Sequence, residues 1–124
     1  MEFMVTSIRT FIGAKNYDIS RNFYLDLGFK EVKIDPKMSY FSIGDFGFYL
    51  QDYYVKKWIE NLMVFLEVDT VEDHLIKVKE LHLDSKYKGV RVSEIHHNDW
   101  GKEFFVHDPS GVLWHIGEFA QSKN

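Results

Sequence analysis

Lys102-Glu103-Phe104-Phe105-Val106-His107, then Asp108-Pro109-Ser110-Gly111, then Val112-Leu113-Trp114-His115-Ile116-Gly117-Glu118-Phe119 reads as a strand, a four-residue turn and a second strand. Proline second and glycine fourth are what a type I turn asks for. The flanks are rich in the β-branched and aromatic residues that suit a half-buried strand. Upstream, Tyr87 to Ile95 alternates as a further strand and His96 to Gly101 is a polar loop. Before them, Leu62 to Val68 is a strand and Thr70 caps a helix that uses Val71, Leu75 and Val78. The second half of the chain is therefore β-α-β-β-β.

The first half has the same order. Phe3 to Ile12 reads as a strand, and Asn16 opens a helix with Asp18 in its first turn. Ile19, Phe23 and Leu27 give that helix an apolar stripe, and Gly28 ends it. Strands follow at Phe29 to Ile34, Met38 to Ile43 and Phe46 to Gln51, the last two joined by Gly44-Asp45. Asp52 to Asn61 is a connection. Asn16 follows Arg9 at the spacing at which Thr70 follows Met63. The expected fold is α+β: a single domain over 1–124, with two tandem βαβββ modules, about 1–52 and about 62–120, forming a curved mixed sheet around a concave groove.

Composition narrows the function. With 45% hydrophobic and 17% aromatic residues, the 124-residue chain has the material for one real core. Nineteen acidic against fifteen basic residues leave a net charge of −4, which argues against a nucleic-acid or anionic-membrane partner. No cysteine means no disulfide, no thiolate nucleophile and no cysteine-ligated metal. Glu2 and Arg9 interrupt any apolar signal segment, and the apolar run Leu62 to Leu66 is far short of a membrane span. The expected setting is cytoplasmic.

Asn22-Phe23-Tyr24, Leu27-Gly28-Phe29 and Asp108-Pro109-Ser110-Gly111, in this order within two βαβββ modules, resemble the vicinal oxygen chelate superfamily. That superfamily holds glyoxalase I, extradiol dioxygenases, fosfomycin resistance enzymes and bleomycin resistance proteins. Trp100-Gly101 leading through Glu103-Phe104 to the Asp-Pro turn is most similar to the bleomycin resistance branch. The resemblance implies a homodimer whose grooves are shared between subunits and lined by loop aromatics. It also implies metal-ligand positions at Arg9, Gln51, Met63 and His115. Arginine has no lone pair to give, and a methionine thioether is too soft for Mg, Mn or Zn. Only His115, and weakly Gln51, is a ligand, and moving the first strand by two residues brings only Ser7. No metal and no other cofactor is expected. The remaining histidines, His74, His82, His96, His97 and His107, read as solvated or capping residues.

Strand alternation sorts the groove. With Val112, Trp114 and Ile116 under the helix, His115 faces the groove, and Phe104 is expected opposite it with Phe105 inward. Phe48 and Leu50 go to the core and Tyr49 and Gln51 to the groove, joined by Met63 and Phe65. An Arg9 in that cavity either pairs with a carboxylate such as Glu67 or Glu94 or awaits an anionic ligand. Trp58 and Trp100 lie on loops, where Trp100 matches the family's tryptophan. The expected ligand-binding set is thus Arg9, Tyr49, Gln51, Trp58, Met63, Phe65, Trp100, Phe104 and His115. The function it suggests is metal-free sequestration of a small molecule in an aromatic groove at a dimer. The alternatives are a glyoxalase- or dioxygenase-like enzyme, either with an unusual metal site or with His115 as general base, or a groove that serves only as a dimer interface.

Overall fold

A computed structural model describes residues 3–121. Two sheets carry the fold. The first contains β1 (Phe11–Gly13), β2 (Lys30–Asp35), β3 (Met38–Ile43) and β4 (Phe46–Gln51), in the order β1-β4-β3-β2. The second contains β5 (Met63–Glu67), β6 (Arg91–Val92), β7 (His96–Asn98), β8 (Gly101–His107) and β9 (Leu113–Phe119). Its order is β5-β9-β8, with β6 and β7 both paired to β8. In each sheet the first strand runs parallel to the last and the other pairings are antiparallel. Helices α1 (Tyr17–Leu27), α2 (Lys56–Glu60), α3 (Val71–Glu80) and α4 (Leu83–Lys86) complete an α+β chain of two βαβββ units, β6 and β7 together filling one strand position of the second.

Local chemistry explains the helices. Asn16 Oδ1 accepts the Ile19 amide at 3.2 Å, and Gly28 takes the left-handed conformation (φ 113°) that ends α1. The buried face is Ser20, Phe23 and Tyr24, so the stripe is rotated from the expected one and Ile19 is exposed. In α3, Val71, Leu75 and Val78 are buried as the spacing indicates. Its first amide, that of Val71, is taken by Glu118 Oε1 from β9 at 2.9 Å rather than by Thr70.

Three stretches differ from the sequence reading. The strand expected over Phe3 to Ile12 pairs only over Phe11–Gly13, because the ladder to β4 begins at Phe11↔Tyr49. Upstream residues such as Phe3, Met4, Val5 and Ile8 are exposed and meet no strand. Tyr87 to Ile95 shortens to β6, since α4 and a turn at Gly89 (φ 86°) take up its start. Of the loop expected at His96 to Gly101, His96–Asn98 is instead β7, which uses the open edge of β8, and only Asp99 and Trp100 remain as the turn before β8.

The core joins the two units. Tyr24, Phe29, Phe41, Phe48 and Trp114 form one aromatic cluster, with Phe48 and Trp114 from different sheets 5.5 Å apart. At its centre the fully buried Asp108 accepts the Tyr24 hydroxyl at 2.6 Å and the amides of Ser110, Gly111 and Val112 at 2.8–2.9 Å. The Tyr24 oxygen in turn accepts the Trp114 indole N–H at 2.9 Å. Burial pushes the ionisations of both Asp108 and Tyr24 upward. The turn is also one residue longer than expected: Asp108 N–H donates to the Val112 carbonyl, and His107 pairs with Leu113.

Candidate functional site

That extra residue sets which side chains of β8 share a face with His115. Directly paired residues of an antiparallel ladder point the same way, and a one-residue change of register moves every side chain to the other face. Phe105 pairs with His115, and Phe104 pairs with Ile116. Phe104 is therefore a core residue with no exposed surface, and its expected place in the groove belongs to Phe105. Glu103 pairs with Gly117 and shares the His115 face.

Around His115 the second sheet builds a dense cluster. His115 Nδ1 lies 2.7 Å from Glu103 Oε1, and Asn98 Nδ2 donates to Glu103 Oε2 at 2.8 Å. Nε2 lies 3.4 Å from Met63 Sδ. Phe105 meets the imidazole edge-on at 5.0 Å, Phe65 lies nearly parallel to it at 6.2 Å, and His96 packs on Phe105. Phe65, Trp100 and Phe119 complete an exposed aromatic triad with centroids 5.2–5.8 Å apart. Gly117 makes room for it, because a Cβ there would lie 2.7 Å from the Phe65 ring. Burial and the Arg91 guanidinium hold His107, which follows on the same face of β8, below the usual imidazole range.

Arg9, Tyr49 and Gln51 belong to the other sheet. The Arg9 guanidinium donates to the Tyr49 hydroxyl at 2.9 Å and lies 4.0 Å over the Tyr40 ring, while Phe11 stacks on Tyr49 at 5.1 Å. Arg9 is exposed, not buried, and no carboxylate pairs with it among the described residues. Glu94, one of its expected partners, is taken by Lys79 at 2.7 Å. Gln51 and the largely exposed Trp58 border a separate cleft of about 230 Å³ with Phe11 and Leu62. No hydrogen bond, ion pair or aromatic contact joins these groups to the His115 cluster among the described residues. Within one chain the expected set is thus two clusters, not one cavity. A third, apolar cleft of about 450 Å³, lined by Phe29, Phe48, Val64, Leu66 and Trp114, touches the expected set only at Phe65.

The sequence reading missed Glu103, Asn98, Phe105 and Tyr40. Tyr40 had a usable signal in its cross-strand position opposite Tyr49. Glu103 and Phe105 needed the true turn length, and Asn98 needed the strand β7 that the sequence reading took for a loop.

Paired βαβββ units, each with an open sheet face carrying aromatic and polar side chains, define the fold class of this chain. The profile of the Glyoxalase/Bleomycin resistance protein/Dioxygenase superfamily matches residues 7–116, and the chain belongs to that superfamily. Solved structures agree on the fold. A bleomycin-binding protein complexed with bleomycin superposes with a TM-score of 0.78 at 18% identity, covering 94% of this chain and 100% of that one. The bleomycin-binding protein of Streptomyces verticillus, complexed with copper(II)-bleomycin, gives 0.77 at 18% identity, covering 97% and 100%. Lactoylglutathione lyase from Agrobacterium tumefaciens gives 0.69 at 17% identity, covering 92% and 94%. No curated protein matches the sequence significantly.

The positions to which the resemblance assigns metal ligands do not suit a divalent ion. Arg9 brings a fixed positive charge and Met63 a soft thioether, which leaves His115 as the one good ligand of the set. No three of the histidine, aspartate and glutamate side chains converge on a point that would hold a metal, among the described residues. No helix among the described residues is long and apolar enough to cross a membrane.

Proposed function

We propose that the protein is a metal-free small-molecule-binding protein of the bleomycin resistance type, working in the cytoplasm as a homodimer that sequesters a flat ligand against aromatic side chains. The observation that carries this reading is the exposed triad Phe65, Trp100 and Phe119 beside His115, a large π-surface left open to solvent. Pairing of two copies is supported by the edges of β1 and β5, each of which has one strand neighbour among the described residues. In such a dimer the Arg9–Tyr49 cluster of one copy and the His115 cluster of the other would frame one groove with Gln51, Met63 and Trp58. Arg9 then favours a neutral or anionic ligand, which sets this chain apart from binders of cationic drugs.

Tryptophan fluorescence tests the reading directly, since Trp100 lies in the triad. Titration with bleomycin and with uncharged or anionic planar aromatics should quench it saturably for the second class and weakly for bleomycin. Elemental analysis of the purified protein should find no stoichiometric Zn, Ni, Mn or Fe, and sedimentation should give a dimer at micromolar concentration. An unquenched Trp100 with every probe would overturn the binding reading, and about one tightly held metal per chain would overturn the metal-free one.

The second reading is a glyoxalase- or dioxygenase-like enzyme. Glu103 at His115 Nδ1 favours it, because a carboxylate behind an imidazole is an arrangement for general base catalysis. Turnover that is lost in His115→Gln while ligand quenching persists would establish it.

A further inference from the structure

We propose that the groove beside His115 is built for a planar phenol, whose hydroxyl proton is taken up at His115 Nε2. This rests on the reading of the aromatic cluster as a ligand groove and names the class of ligand.

The tautomer comes first. A carboxylate can only accept, so the His115 Nδ1 that faces Glu103 at 2.7 Å carries a proton. Glu103 is itself nearly buried, and its second oxygen is held by Asn98, so the pair is a fixed fitting and not a passing surface contact. A neutral imidazole so held has its lone pair on Nε2. Among the described residues, the neighbour of Nε2 is the Met63 thioether, which has no proton to offer that lone pair and sits on an exposed, flexible side chain that a hydrogen-bond donor displaces.

The walls choose the rest. Phe65 and Phe105 lie against the imidazole, and Trp100 and Phe119 extend the π-surface outward from Phe65, so the ligand is a flat ring and its donor is on the ring edge. A cationic ligand gains little, because both oxygens of the buried carboxylate are already used. The titratable and charged groups on this face are Glu103 and His107 from β8, Arg91 from β6 opposite His107, His96 from β7 and Glu67 at the end of β5. In the transfer, the ligand O–H bond breaks and an Nε2–H bond forms. The imidazolium then lies between the phenolate and the Glu103 carboxylate, and nothing else is consumed. A neutral imidazole with a phenol and an imidazolium with a phenolate have the same composition, so the same complex is reached from either side.

4-Nitrophenol is the probe, and its methyl ether 4-nitroanisole is the control of similar shape without the proton. Binding of each is read by tryptophan quenching, and ionisation of the nitrophenol by its phenolate absorbance. The phenol should bind at least about tenfold more tightly than the ether, the gain of one charge-assisted hydrogen bond. The phenolate band should also appear on binding at a pH where the free probe is protonated. His115→Gln and Glu103→Gln should each reduce the preference and the band. Equal affinity of the two probes for the wild-type protein, or tight binding without the phenolate band, overturns the proposal while leaving the groove intact. Failure of both probes to bind overturns the groove reading with it. The wild-type comparison decides the matter even if Glu103→Gln fails to fold.

Discussion

The hydroxyl of Tyr24 donates to Asp108 Oδ2 at 2.6 Å across 84 positions of sequence, and so ties the helix of the first βαβββ unit to the last turn of the second. Two of the three motifs that mark the superfamily are thus in contact with each other. Their role here is architectural: both residues are fully buried, and neither faces the His115 cluster. Tyr24→Phe removes the donor to Asp108 and the acceptor for the Trp114 indole together. Leaving buried partners unpaired costs about 1–3 kcal/mol each. Urea unfolding should show a drop in that range, and a change below about 0.5 kcal/mol would show the node to be dispensable.

Adjacent phenylalanines of β8 should behave in opposite ways. Phe104→Ala hollows the core and should destabilise by about 3–5 kcal/mol. Phe105→Ala should cost less stability but weaken quenching of Trp100 by a bound aromatic, since Phe105 packs on His115. Thermal denaturation and the fluorescence titration on the two variants check this, and the reverse ranking would mean that the register is shifted by one.

Arg9→Ala should leave folding almost untouched, within about 0.5 kcal/mol, because the side chain is exposed and its contacts are to Tyr40 and Tyr49. Affinity for an aromatic carboxylate should fall about tenfold to a hundredfold, the loss of a charge-assisted hydrogen bond. Comparing the same titration for wild type and variant decides it, with unchanged affinity placing Arg9 outside the site.

Acid sensitivity should have an identifiable source. The Arg21 guanidinium, bonded to both oxygens of Glu31 at 2.6 and 2.8 Å, holds that carboxyl below its ordinary value of 4.5, outweighing its burial. A carboxyl lowered in the folded state adds stability that is fully present above the unfolded value and is lost as pH falls through the folded one. Stability should therefore decline below about pH 4.5, and Arg21→Met should be less stable at pH 7 yet lose less between about pH 5 and pH 3. Denaturant midpoints measured across that range test it, and parallel curves for the two proteins would remove Glu31 from the account.

The sequence by itself determined what depends on neighbours in the chain. Asn16 and Gly28 delimit α1, Gly44-Asp45 turns β3 into β4, and the Asp-Pro-Ser-Gly turn joins β8 to β9, each through local hydrogen bonds and backbone preference. With the apolar periodicity, these gave two βαβββ units and the faces of β4 and β9, so that Tyr49 with Gln51, and Met63 with His115, were legible as sharing a sheet face. Only the tertiary structure decided the contents of the site. Whether the turn spans four residues or five rests on a bond from Asp108 N–H to the Val112 carbonyl, and on the burial of Asp108 under Tyr24. That one residue exchanges Phe104 for Phe105 and brings Glu103 beneath His115. Burial likewise was not local: Arg9 lies in solvent because the strand leading to it finds no partner before Phe11. Strand pairing is a contact between distant segments, and its register is set by the fit of the whole sheet, which no window of sequence contains.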